Sequence, residues 1–257
     1  MIIWRTLVLA FSVFSRIPMP RVAWTPANQR YLLAAFPVVG AVIGLTLWGW
    51  IWLCSFLGLG TLLFAAGLTL IPLAISGGIH LDGWCDTLDA LASHADAAQK
   101  RAILKDPHTG AFAVIGLCAY LLATVALAAE LARTSQTALL LGLLHILSRC
   151  ISGLAVLIIP PHGDPGLGAS FRQAADRRRS VALLSLIAVL CAAGLILAGR
   201  FAGGGMILAG LAVLVYLRRL ARRQFAGMSG DLAGFGLQLA ELLMLAVLVF
   251  LSKGGFL

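Results

Sequence analysis

Apolar residues run almost unbroken through seven stretches of this chain, at about 33–55, 57–78, 111–130, 137–159, 180–199, 201–217 and 231–252. Most approach the roughly 20 residues that a helix needs to cross about 30 Å of hydrocarbon. The sixth is short, and residues 199–205 read as a tight turn between the fifth and sixth. Between the second and third stretches the pattern changes. Leu81, Leu88, Leu91, Ala95, Ala98 and Ala102 fall at helical spacing with acids and bases on the remaining face, which predicts an amphipathic helix along the rim of a bundle or closing a cavity. Residues 160–179, opening Pro-Pro-His-Gly-Asp-Pro-Gly, predict a loop with little helix potential. That loop bears Arg172, Arg177, Arg178 and Arg179, and either covers a phosphate-bearing substrate or merely sets topology; His162 within it has no distinguishing feature. Residues 6–14 form a shorter apolar run. Pro18 and Pro20 follow it in place of a small-residue cleavage site, so it reads as an uncleaved interfacial or re-entrant segment.

The expected fold is therefore all-α: a polytopic membrane helix bundle of about seven transmembrane helices with a cytoplasmic amphipathic helix, in one integral-membrane domain over residues 1–257. Composition agrees, since 61% of the residues are hydrophobic, 11% are charged and the mean hydropathy is +0.99. Charge placement tests the count separately. Connections on alternate sides carry 15 and 3 Lys or Arg, with Arg149 left inside a span. By the positive-inside rule the amino terminus is cytoplasmic and the tail lies outside. The net charge of +9 follows from that asymmetry and from contact with anionic lipid headgroups. Without an aromatic-interleaved basic stripe outside the spans, no nucleic-acid partner is expected. Cys54, Cys85, Cys118, Cys150 and Cys191 are scattered, with neither metal spacing nor a disulfide framework, and read as small buried hydrophobes.

Acid is scarce, which makes its placement informative. Only ten Asp and Glu occur, and five of them (Asp82, Asp86, Asp89, Asp96 and Asp106) fall inside one 25-residue window. On a helix Asp82, Asp86 and Asp89 stand at i, i+4 and i+7, so three carboxylates share a face and repel unless a cation sits among them. Oxygen ligands at this density favour a hard ion, Mg²⁺ or Mn²⁺. The other reading is a solvated helix face, which would more often be rich in Glu and Lys. Two further segments carry candidate chemistry. Lys105-Asp106-Pro107-His108-Thr109-Gly110 precedes the third span and suits a phosphate contact at a helix N-terminus, although an N-cap accounts for Thr109 or Asp106 equally well. Gly227-Met228-Ser229-Gly230-Asp231 precedes the last span, behind Arg218, Arg219, Arg222 and Arg223, and reads either as backbone bent around a ligand or as an N-cap with a glycine hinge.

Inside the spans, Arg149 with His145 one turn away marks a functional cavity, or an ion pair with Glu241 that is purely structural. Glu130 and Arg133 read as a solvated pair at the opposite surface. A transporter for a corrinoid or a cation is the alternative function, but it would place its polar site near the midplane, whereas most acids here gather at one surface.

Three ordered motifs give the chain a resemblance. Residues 77–90 (Gly-Gly-Ile-His-Leu-Asp-Gly-Trp-Cys-Asp-Thr-Leu-Asp-Ala), the Lys-Asp-x-x-x-Gly-x-Phe element at 105–112, and an Arg-rich stretch ending in Ser-Gly-Asp-x-x-Gly before Glu241 resemble the cobalamin synthases, also called adenosylcobinamide-GDP ribazoletransferases. Pro107-His108 stands where that family usually has Ser-Arg. The resemblance implies a membrane-embedded transferase of the bacterial cytoplasmic (inner) membrane with its active site facing the cytoplasm. It would join adenosylcobinamide-GDP to α-ribazole, or its 5′-phosphate, with Mg²⁺, giving adenosylcobalamin or its phosphate and GMP. On that reading Asp82 and Asp86 are first-choice metal ligands, and Asp89, Asp106 and Asp231 complete the site. His80 or a remaining carboxylate takes the ribose hydroxyl proton, and Lys105 and Arg222, with Arg149, are the substrate-phosphate candidates. The oligomeric state, a homo-oligomer included, stays open.

Overall fold

The computed structural model describes residues 2–161 and 167–256; His162 and the Gly-Asp-Pro-Gly that follows it lie outside the described residues. All of its described regular structure is helical. The helices are α1 (Ile2–Phe14), α2 (Pro26–Gln29), α3 (Leu32–Phe56), α4 (Thr61–Ser76), α5 (Ile79–Ala92), α6 (Ala97–Ile103), α7 (Ala111–Ala129), α8 (Ser135–Ile158), α9 (Leu167–Ala174), α10 (Arg177–Gln224) and α11 (Gly230–Lys253).

Among the described residues, five helices are long and apolar enough to cross a membrane, and six if α4 and α5 are taken as one bent span. The long α10 counts once in that number, yet it is two arms. Arg200 breaks it at φ 44°, ψ −118°, and a Cβ on Gly203 would lie 1.9 Å from the carbonyl oxygen of Leu195. Eight residues of straight helix would separate those positions by about 12 Å. The chain therefore reverses at Arg200, as the turn expected at 199–205 requires; with its arms counted separately the described residues hold six such segments, and the 16-residue α4 stands as the shorter second of the seven expected.

α8 is the central helix. It packs on α3, α10 and α11, and is apolar on nearly every face, burying Leu140, Leu141, Leu144, Leu147, Ile151 and Leu157. Contacts then sort by end. At one end Lys253 pairs with Glu130 at 2.7 Å, Arg133 donates to the Leu59 carbonyl, and Gln136 donates to that of Ala198 at 2.6 Å. The expected Glu130–Arg133 pair thus gives way to separate partners, and Arg133 stacks over the Phe64 ring at 4.7 Å. The opposite end gathers the Arg30–Asp176 pair at 2.9 Å, the Arg16 N–H to the Ile75 carbonyl at 2.8 Å, and the Met228 N–H to that of Pro160 at 2.9 Å. The two ends are the sparsely charged and the basic sides of the charge count.

Three expectations are corrected. The amphipathic pattern between the second and third spans forms two helices, because His94 adopts a left-handed φ of 51° between α5 and α6. The second span stops at Ser76, and Gly77 and Gly78, at φ 68° and 80°, turn α5 by 95° from α4. Part of the loop at 160–179 is helical as α9, and Arg172 there donates to the carbonyls of Val156 and Ile159, closing the end of α8 instead of remaining free for a ligand. The segment at 6–14 does form a helix, α1. Its 13 residues reach about 20 Å, too short to span, and it buries Leu9, Ala10 and Phe14 against the bundle.

Candidate active site at the basic end

α5 is the element that builds the site, because it lies across the first turns of α7 and α11. A Cβ on Gly83 would meet the carbonyl oxygen of Asp231 at 2.6 Å and its Cα at 2.9 Å, so glycine alone lets the two backbones touch. Trp84 locks the crossing: its indole N–H donates to the Gly116 carbonyl at 3.2 Å and its ring stacks on Phe235 at 5.1 Å. Gly234 rests on the backbone of His80. α5 meets the opening turns of α7 and α11, as far as Tyr120 and Phe235, so it lies toward the end of the bundle where both helices start.

This crossing brings Asp82, Asp86 and Asp231 together. Asp82 is exposed, and Asp86 and Asp231 are half-buried. Partial burial, with the charges of Asp82, Asp231 and Asp89 around it, pushes the Asp86 carboxyl up to about 6. Asp231 thus joins Asp82 and Asp86 across nearly 150 residues of sequence. Among the described residues, however, no three acidic, His or Cys side chains converge in metal-ligating geometry. The carboxylates share a field without closing on one point.

The other candidate residues divide. Asp89 is occupied as a helix cap from outside, its oxygens accepting the Gly110 N–H at 2.6 Å and the Ala113 N–H at 2.8 Å. The cap of α7 therefore comes from α5, and neither Thr109 nor Asp106 supplies it. Asp106 is exposed and turned on its own segment, accepting the His108 N–H at 2.9 Å and facing its ring at 2.6 Å, and the backbone bond holds its carboxyl below the usual range. His80 is 7% exposed, packed among Phe14 and Phe36, and its Nε2 has no partner among the described residues. Lys105 sits in the turn between α6 and α7. Arg222 is exposed on the last turn of α10, in a groove of about 440 Å³ shared with Arg218, Arg219 and Arg223.

Arg149 is elsewhere. It is 1% exposed in the body of α8, bonded to Glu241, to the Ser148 hydroxyl at 2.9 Å and to the His145 carbonyl at 3.0 Å. The His145 ring lies 2.8 Å from Glu241, so the ion pair is a buried, multiply bonded network. It borders a cavity of about 40 Å³ with Tyr120 and Gln238. At about 10–15 Å³ per water, that space holds a few waters and no nucleotide. Arg149 is withdrawn as a substrate-phosphate ligand.

Fold and site together define a class: a polytopic membrane protein whose acids Asp82, Asp86 and Asp231 gather where the start of one spanning helix meets a crossing helix, at its basic end. The chain belongs to the cobalamin-5-phosphate synthase family, whose model matches residues 6–249. It is 37% identical over 249 residues to the adenosylcobinamide-GDP ribazoletransferase of Lachnoclostridium phytofermentans, covering 97% of this chain and 94% of that one. It is also 31% identical over 240 residues to the Geobacillus sp. protein of that name, covering 90% of each, and 30% identical over 243 residues to that of Clostridium botulinum Alaska E43, covering 93% and 95%. No solved structure matches it. The family gives no support to a transporter.

Proposed function

We propose that this protein is an Mg²⁺-dependent adenosylcobinamide-GDP ribazoletransferase of the bacterial inner membrane, working at its cytoplasmic face. The observation that carries the site is the meeting of Asp82, Asp86 and Asp231 where α5 crosses α11. The donor set fits a hard divalent ion: all three are carboxylates, and Asp86, raised by partial burial and then by the charges of Asp82, Asp231 and Asp89, stands in a negative field that a cation would relieve. Asp82, Asp86 and Asp231 would hold it. Such an ion would offset charge on the pyrophosphate and on the departing GMP.

The ribose hydroxyl of α-ribazole attacks the phosphorus next to cobinamide, a new P–O bond forms, the P–O–P bridge breaks, and GMP leaves with the bridging oxygen's electron pair. The hydroxyl proton goes to a carboxylate of the cluster. His80 is a poorer acceptor than the sequence suggests, because Phe14 and Phe36 wall it in. Lys105 and Arg222 lie on the basic end, where they can share the pyrophosphate charge. Cytoplasmic sidedness rests on the 15-to-3 distribution of Lys and Arg. The test is chemical: detergent-solubilised protein, with no sealed vesicle, should convert adenosylcobinamide-GDP and α-ribazole into product and GMP. No product under any metal condition would refute the assignment.

A further inference from the structure

The product named by the family description keeps a 5′-phosphate that takes no part in the bond exchange. Such a dianion cannot rest among Asp82, Asp86 and Asp231; it needs cations set apart from them. A pocket of about 420 Å³ lies between α5, α6 and the end of α10, lined by His94, Lys100, Tyr216, Arg219, Arg223 and Gln224, with two leucines and no acid among the described residues. Lys100 is the unusual member. It is 5% exposed and its ammonium donates to the neutral Gln224 side chain, with no carboxylate partner among the described residues. A buried cation with only an amide for company is costly unless an anion arrives. The pocket is also built and not incidental, because Arg101 donates to the Phe225 carbonyl at 3.2 Å and clamps α6 onto α10 beside it. Leu91 and His94, on its wall, belong to the last turn of α5 and the residues just past its end, and Leu91 lies about 7.5 Å in rise beyond Asp86.

We propose that this pocket is a phosphomonoester subsite that takes the 5′-phosphate of the acceptor α-ribazole 5′-phosphate; this rests on the transferase reading above. Lys100 and Arg223 bind the phosphate, and Arg219 and His94 complete its positive wall. The same chemistry would suit an anionic lipid headgroup, and the test separates the two. Wild-type protein, Lys100→Gln and Arg223→Gln are assayed in nanodiscs of zwitterionic lipid and of lipid with added phosphatidylglycerol, using α-ribazole 5′-phosphate and α-ribazole as alternative acceptors. The expected result is a wild-type preference for the phosphorylated acceptor, in kcat/KM, that falls roughly tenfold or more in either variant and does not depend on phosphatidylglycerol. Arg223 is exposed, so its variant keeps the test decisive if Lys100→Gln folds poorly. The proposal is overturned if wild type shows no preference, if both acceptors lose equally in the variants, or if the loss tracks phosphatidylglycerol content. Wild type that releases no GMP with either acceptor would instead refute the transferase reading itself.

Discussion

At the scale of single residues, the decisive fact is that Asp86 sits in the field of three other carboxylates. Asp82→Asn and Asp86→Asn keep shape and remove charge, so each should abolish GMP release while the protein still inserts and purifies; substantial turnover in either at saturating Mg²⁺ would contradict the site. Asp86 also sets a pH dependence. Its carboxyl is raised in the folded state, so the stability it contributes is fully present below its unfolded value near 4 and is lost as pH rises through about 6. Metal-free wild type should therefore lose thermal stability between pH 4 and 6 relative to Asp86→Asn, and added Mg²⁺ should restore it. Equal pH profiles for the two proteins would count against the crowded carboxylates. Arg149 and Glu241 behave differently. Removing either partner leaves a buried charge and should cost about 3–5 kcal/mol, while an Arg149→Met/Glu241→Leu double variant should melt closer to wild type than either single change. Asp spacing within α5 was legible in the sequence, because i, i+4, i+7 is a local property of one helix. Lys100 beside Gln224 was not, because nothing in either segment announces a partner over a hundred residues away.

Among elements, the crossing of α5 over α7 and α11 does most to make the site. Gly83→Ala would force a methyl against the Asp231 backbone, which cannot yield as a flexible side chain would. It should lower activity by roughly tenfold or more through displacement of α5, with insertion intact; wild-type kinetics would mean that the close approach is dispensable. Asp89 tests the other contact. As the cap of α7 it needs acceptor oxygens more than charge, so Asp89→Ala should destabilise by about 1 kcal/mol and Asp89→Asn by less, with Asn keeping measurable turnover. If Asp89→Asn is as dead as Asp86→Asn, the residue is a ligand as well as a cap. The sequence carried the glycine and the acids but not this division of labour, since a carboxylate that caps a distant helix looks like one that waits for a metal. It likewise could not foresee the break at His94, where a non-glycine residue takes a left-handed conformation inside an amphipathic pattern.

For the molecule as a whole, hydrophobic runs and charge asymmetry were enough to lay out the crossing segments, because bilayer thickness fixes length and the positive-inside rule fixes direction. Reporter fusions at residues 92 and 170 should both report cytoplasm and one after Lys253 the outside; an outside signal at 92 would move the site to the wrong face. Pairing between segments was not legible, since apolar helices carry little that distinguishes one neighbour from another. It is this pairing that sets the start of α11 against α5, and with it the central claim that Asp231 works in the same site as Asp82 and Asp86. The most direct measurement is the Mg²⁺ dependence of GMP release from adenosylcobinamide-GDP, with wild type and Asp231→Ala titrated side by side. A shared site predicts turnover that vanishes without divalent metal in wild type, and either a raised metal requirement or no activity in the variant. Metal-independent release by wild type, or an unchanged titration in Asp231→Ala, would contradict it.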